Sequence, residues 1–134
     1  MIESKILNQI KNYNKPINLE KYINLCLFGK DGYYKNFNII GKSGDFITSP
    51  EISQLFGEII GLYVVDYWQN FIKKPFNLIE LGPGKGTLLL DILNITNKFE
   101  NIRKSMSLNL VEQNINLINI QKLKFKKKQI DIKK

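Results

Sequence analysis

The chain has 134 residues, enough for one domain built around one hydrophobic core. Its formal net charge of +8 is unevenly spread: 7 Lys and one Asp fall in residues 121–134, leaving a nearly neutral body with 13 cations and 11 anions. Histidine is absent and Cys26 is the one cysteine, which excludes Ser-His-Asp and Cys-His catalysis, His-ligated zinc and an intrachain disulfide. Ile, Asn and Lys number 21, 16 and 19 while Ala is absent, a skew expected of an AT-rich coding sequence, so basicity carries little functional weight. A lone thiol fits a reducing compartment, and the expectation is a cytoplasmic protein. No apolar run approaches the roughly 18 residues of a membrane span, and the Asn-rich start with Glu3 lacks a signal-peptide core.

In chain order, Ile6, Leu7 and Ile10 lie at helical spacing in residues 3–13, and Leu19, Tyr22, Ile23, Cys26 and Leu27 repeat the pattern in residues 17–28. Gly29-Lys30-Asp31-Gly32 is turn chemistry, and the stretch from Tyr33-Tyr34 to Ile39-Ile40 suits an extended segment. Ser49 before Pro50, with Glu51 following, predicts an N-cap and a helix start. From Ile52 to Phe71 apolar residues keep helical spacing for about five turns, and Tyr63, Tyr67 and Trp68 on that stripe are assigned to the core. Phe76–Leu81 predicts a strand, Leu88–Leu93 a helix and Ser107–Glu112 a second strand. A last helix carries Ile115, Ile118 and Leu123 on its apolar face. Strand, helix and strand make one βαβ unit.

The chemistry gathers where the first strand ends. Glu80-Leu81-Gly82-Pro83-Gly84-Lys85-Gly86 combines a leading acid with glycines that let the backbone turn sharply and approach a ligand. Glu112, at the end of the next strand, lies 26 residues beyond Gly86, near the roughly 20-residue offset of a ribose-binding acid. The Gly-x-Gly-x-Gly spacing differs from the dinucleotide fingerprint Gly-x-Gly-x-x-Gly and favours S-adenosylmethionine over NAD. An acid such as Glu80 suits that cofactor's cationic amino-acid end better than an anionic pyrophosphate. Each residue also has a plain structural reading: Gly-Pro-Gly as a strand-to-helix turn, Glu112 as a solvated strand end, Asp45 as a turn acid, Glu58 as a solvated helix position. In this order, the acid, the glycines and the second acid weigh more together than singly.

These residues, with Pro16-Ile17 and Tyr22, Asp31-Gly32-Tyr33-Tyr34, Gly44-Asp45-Phe46-Ile47-Thr48-Ser49-Pro50-Glu51, Gln54, Phe56-Gly57-Glu58, Thr87, Asp91-Ile92-Leu93, Leu110-Val111 and Gln121, resemble the MidA-like family of class I methyltransferases. That family includes the mitochondrial complex I assembly protein-arginine methyltransferase. The resemblance runs to about Leu123. It implies an α/β chain in which an N-terminal helical and loop region (1–75) precedes the first βαβ part of a Rossmann-like S-adenosylmethionine-binding domain (76–123); the Lys-rich composition beyond it, with no family counterpart, predicts a disordered tail (124–134). It also implies that Gly82, Gly84 and Gly86 line the cofactor, Glu80 faces its methionine end and Glu112 its ribose. Asp45, Thr48, Ser49 and Glu51 would lie on a loop beside the pocket. The catalytic base is not assigned, and no metal is implied.

Family members are more than twice this length, so the expectation is a truncated or split N-terminal part, inactive alone, needing a complementing C-terminal polypeptide. Its protein substrate, by resemblance, is of the complex I 49 kDa subunit type. Two other readings stand beside this one. The first is a non-catalytic remnant or interaction piece with a sticky sheet edge. The second is a basic nucleic-acid-binding protein, against which the near-neutral body argues.

Overall fold

The computed structural model describes residues 2–35, 39, 41 and 44–130. It divides into two compact units, Met1–Ile39 and Ile40–Lys134. The boundary falls well before residue 75, so the helices that follow Ser49 belong with the βαβ unit.

In the first unit α1 spans Ile2–Tyr13, and α2, Leu19–Ile23, continues into a π-helical turn over Asn24–Phe28. Asn18 caps α2, its side chain accepting from the Lys21 N–H at 2.9 Å. Lys5 of α1 pairs with Asp31, whose carboxyl is held below its ordinary value by that ammonium. Gly32 lies against the Leu27 carbonyl so closely that a Cβ would stand 2.7 Å from it, which accounts for the glycine. Tyr33–Lys35 forms a short 3₁₀ turn where an extended segment was expected, with Tyr34 stacked on Phe28 at 5.7 Å. The rest of that expectation, at 36–38 and 40, lies outside the described residues.

In the second unit α3 spans Ser49–Ile52 and α4 spans Gln54–Tyr67, running into a π turn over Trp68–Ile72. The expected continuous helix is therefore interrupted. Ser53 leaves helical geometry (φ −147°, ψ 127°), and its hydroxyl accepts from the Leu55 N–H at 3.2 Å, capping α4. Thr48, not Ser49, holds the cap position of α3, and Ser49 and Pro50 occupy the first turn.

Then β1, Phe76–Leu81, pairs in parallel with β2, Met106–Val111, in register Phe76↔Met106 through Leu81↔Val111. Between them lie α5, Thr87–Thr96, and α6, Glu100–Ser105; α7, Ile115–Lys127, follows β2. One core joins Leu89 and Leu93 of α5 to Leu108 of β2 and Phe125 of α7, with Leu78 and Leu110 against it. A second joins Val65 of α4, Ile95 of α5 and Ile102 of α6, with Trp68 and Phe76.

Two faces are rotated from expectation. The side of α4 that packs on α5 is Gly57, Gly61 and Val65, whereas Tyr63 and Tyr67, assigned to the core, are exposed; Trp68 is half-buried and donates to the Lys74 carbonyl at 2.9 Å. A Cβ on Gly61 would stand 2.9 Å from the Ile92 carbonyl and 3.0 Å from the Ile95 Cβ, so missing side chains, not large ones, mark this contact. On α7 the buried face is Leu117, Gln121 and Phe125, while Ile115 and Leu123 are exposed. The Lys-rich end, expected to be disordered from residue 124, is helical to Lys127 because Phe125 enters the core; 131–134 lie outside the described residues.

The other face of the sheet carries Ile79, Leu81 and Val111, 58%, 75% and 52% exposed, so this two-stranded sheet has one covered and one open side. Among the described residues no helix is long and apolar enough to cross a membrane.

Candidate functional site

The site is the C-terminal edge of β1 and β2, where a parallel α/β sheet places its ligands. As β1 ends, the Gly82 N–H donates to the Val111 carbonyl at 2.9 Å, tying the glycine loop to the end of β2. Gly82, Gly84 and Gly86 all adopt left-handed backbone (φ 64°, 54° and 73°), a region in which any other residue is strained. Gly86 is the cap of α5, and its N–H donates to the Pro83 carbonyl at 2.8 Å. Nothing stands within 4 Å of a Cβ built on Gly82, so the loop is open to an incoming ligand there.

Glu80 precedes this loop on the helix-facing side of β1. Its Oε2 is buried and unpartnered. Burial pushes its pKa up to about 7, only partly opposed by the backbone at Leu89 in the first turn of α5, so the group stands ready for a proton or a cation. Glu112 follows β2 directly, and its Oε1 accepts from the N–H groups of Gln113 and Asn114, each at 2.8 Å, which fixes the carboxylate at the strand end. An open loop, an orphaned buried carboxyl oxygen and a fixed carboxylate fit a ligand with a cationic end and vicinal hydroxyls.

Of the four loop residues expected beside the pocket, Glu51 meets the start of α5: its Oε1 accepts from the Thr87 hydroxyl. Thr48 begins α3, its carbonyl accepting from the Glu51 N–H at 2.9 Å, and Asp45 and Ser49 are exposed. Behind Glu51 lies Asp91, to which the sequence assigned no role of its own. Asp91 is buried with Oδ2 unpartnered, its pKa raised by burial and then by Glu58 and Glu51, and opposed by Lys128 and Lys124. Lys124, half-buried, is lowered chiefly by desolvation. This lysine of the basic run is half-buried near Glu51 and Asp91 and is not part of a freely solvated tail. Gln121 is the other residue whose role was missed: its Nε2 donates to the Gly84 carbonyl at 2.7 Å. No group of acids or thiols suited to a metal ion occurs among the described residues.

This edge has the layout of the first part of a Rossmann-like fold. The family described as putative S-adenosyl-L-methionine-dependent methyltransferase matches residues 59–134, more than half of the chain, and the chain belongs to that family. Its relatives include the mitochondrial protein arginine methyltransferase NDUFAF7 of Bos taurus, 42% identical over 123 residues, covering 89% of this chain and 28% of the relative. The mitochondrial homolog from Drosophila melanogaster is 47% identical over 87 residues, covering 63% of this chain and 20% of its own length. Among solved structures, a likely methyl transferase from Burkholderia thailandensis bound to S-adenosyl-homocysteine superposes with a TM-score of 0.73 at 20% identity, over 91% of this chain and 32% of that one. That likeness establishes the shared fold. The chain spans between a fifth and a third of the length of these relatives. The cofactor of the family is S-adenosyl-L-methionine. The cytoplasmic expectation is corrected here, because the curated relatives are mitochondrial proteins; a free cysteine reports redox state and does not distinguish two reducing compartments.

Proposed function

We propose that these 134 residues form the cofactor-loop portion of an S-adenosylmethionine-dependent protein arginine methyltransferase. The observation that carries this is the run of three left-handed glycines between Glu80 and α5, tied through Gly82 to the strand that ends at Glu112. The glycine backbone lies along the cofactor; the buried Glu80 carboxyl receives the methionine ammonium directly or through water, and the second oxygen of Glu112 accepts from ribose hydroxyls. The cofactor, when bound, supplies an electrophilic methyl group on a sulfonium. Asp45, Thr48, Ser49 and Glu51 border the pocket on the α3 side, with Glu51 braced by Thr87. Methyl transfer is an in-line displacement, so the part played by these residues is orientation and exclusion of water.

Taken alone, these residues transfer little or no methyl. A parallel sheet of two strands with one open face gives no second wall to hold an acceptor. Activity requires the strands that make up the rest of the relatives' length. The acceptor is arginine on a protein of the complex I 49 kDa subunit type.

The test is photocrosslinking of the purified chain with tritiated S-adenosylmethionine. Label should enter the chain, be displaced by S-adenosylhomocysteine and resist NAD. Equal displacement by NAD, or no labelling of a folded chain, contradicts the reading.

A further inference from the structure

The last helix offers the glycine loop a polar side chain where its packing calls for an apolar one. The buried face of α7 is Leu117, Gln121 and Phe125, and Gln121 is 4% exposed. An amide there costs stability unless its polar atoms are bonded. Gln121 meets this by donating from Nε2 to the Gly84 carbonyl at 2.7 Å, across 37 positions of sequence. One turn on, Phe125 lies beneath the same loop: a Cβ on Gly86 would stand 3.0 Å from its ring. The loop is therefore held from the core side at Gly84 and Gly86, and open at Gly82.

We propose that Gln121 is a positioning residue for cofactor binding, holding the Gly84 peptide in its left-handed conformation before the ligand arrives. Gly84 sits at φ 54°, and a free glycine peptide in solution samples many conformers. The bond from a rigid helix restricts that sampling, so less ordering remains when the cofactor binds. Gln121 does not touch the reacting atoms; it acts through the loop. This rests on the cofactor reading above, and the experiment separates the two.

The test compares Gln121→Leu, which keeps the volume and removes the donor, with Leu117→Ala, which removes packing on the same buried face. Both are measured where urea unfolding shows the chain folded. S-adenosylhomocysteine affinity is read by calorimetry, and loop conformation by the amide resonance of Lys85, the N–H next to the Gly84 carbonyl, in chain labelled at Gly and Lys. Gln121→Leu should weaken binding by about tenfold or more and shift that resonance, the loss expected for an unmade buried hydrogen bond. Leu117→Ala should leave affinity within about twofold despite lower stability. If Gln121→Leu does not fold, Gln121→Met, which also lacks a donor, provides the same comparison. An unchanged Lys85 resonance and unchanged affinity in the Gln121 variant overturn the proposal. If the unaltered chain binds no S-adenosylhomocysteine, the cofactor reading fails, and the Lys85 resonance alone decides whether Gln121 holds the loop.

Discussion

Gly57 of α4 packs directly onto Asp91 of α5, so that a methyl group on Gly57 would overlap the Asp91 Cβ and press on the Leu88 carbonyl. This contact sets the distance between the two helices and, through α5, the height of the glycine loop. Gly57→Ala should destabilise the chain by about 1–3 kcal/mol, the usual cost of overpacking. Leu62→Ala, on the exposed side of the same helix, should change stability by no more than about 0.5 kcal/mol. Urea midpoints of the two variants check this.

Glu80 makes stability depend on pH in an unusual direction. Its folded pKa, raised by burial from 4.5 to about 7, means that the folded chain holds this proton where the unfolded chain has lost it. Its contribution is fully present below pH about 4.5 and is lost as pH rises through 7. Allowing for the carboxyl's partial exposure, the loss is on the order of 1–2 kcal/mol, and Glu80→Gln should flatten that part of the profile. Urea unfolding at pH 5 and pH 8 measures it. An ammonium bound to the ionised carboxyl would reverse the trend for affinity, which should tighten as pH rises through 7.

Gly82 separates folding from binding. It is left-handed, yet nothing lies within 4 Å of a built Cβ, so Gly82→Ala meets only backbone strain of about 1–2 kcal/mol. The same methyl group occupies the space the proposed ligand needs. A modest fall in melting temperature with loss of S-adenosylhomocysteine binding is expected, read by thermal unfolding with and without ligand.

Ile79, Leu81 and Val111 form an apolar face on an open sheet, a feature that favours association. Light scattering of the isolated chain should show concentration-dependent assembly. Ile79→Lys should reduce that assembly, since Ile79 is 58% exposed and its replacement disturbs no core.

The strands were legible because Phe76–Leu81 and Met106–Val111 are short apolar runs bounded by turn chemistry, and the turn that follows β1 because its glycines mark what the backbone must do. The helices' existence was legible but their orientation was not. Apolar periodicity looks for large residues facing inward, whereas α4 turns Gly57 and Gly61 inward and α7 turns Gln121 inward. In both helices the demand of a neighbour, close approach to α5 or a hydrogen bond to the loop, outweighs side-chain size. Helix α6 gave no periodic signal because it is a single six-residue element held by one buried residue, Ile102. Asp91 and Lys124 come together only when α5 and α7 pack, which no local pattern reports.

The most direct test of the cofactor site is calorimetric titration of S-adenosylhomocysteine into the folded 134-residue chain and its Glu112→Ala variant. Saturable binding to the unaltered chain, weakened by about 1–3 kcal/mol when the carboxylate is removed, is the predicted result. No heat from a chain whose circular dichroism shows it folded, or equal affinity for the variant, would contradict it.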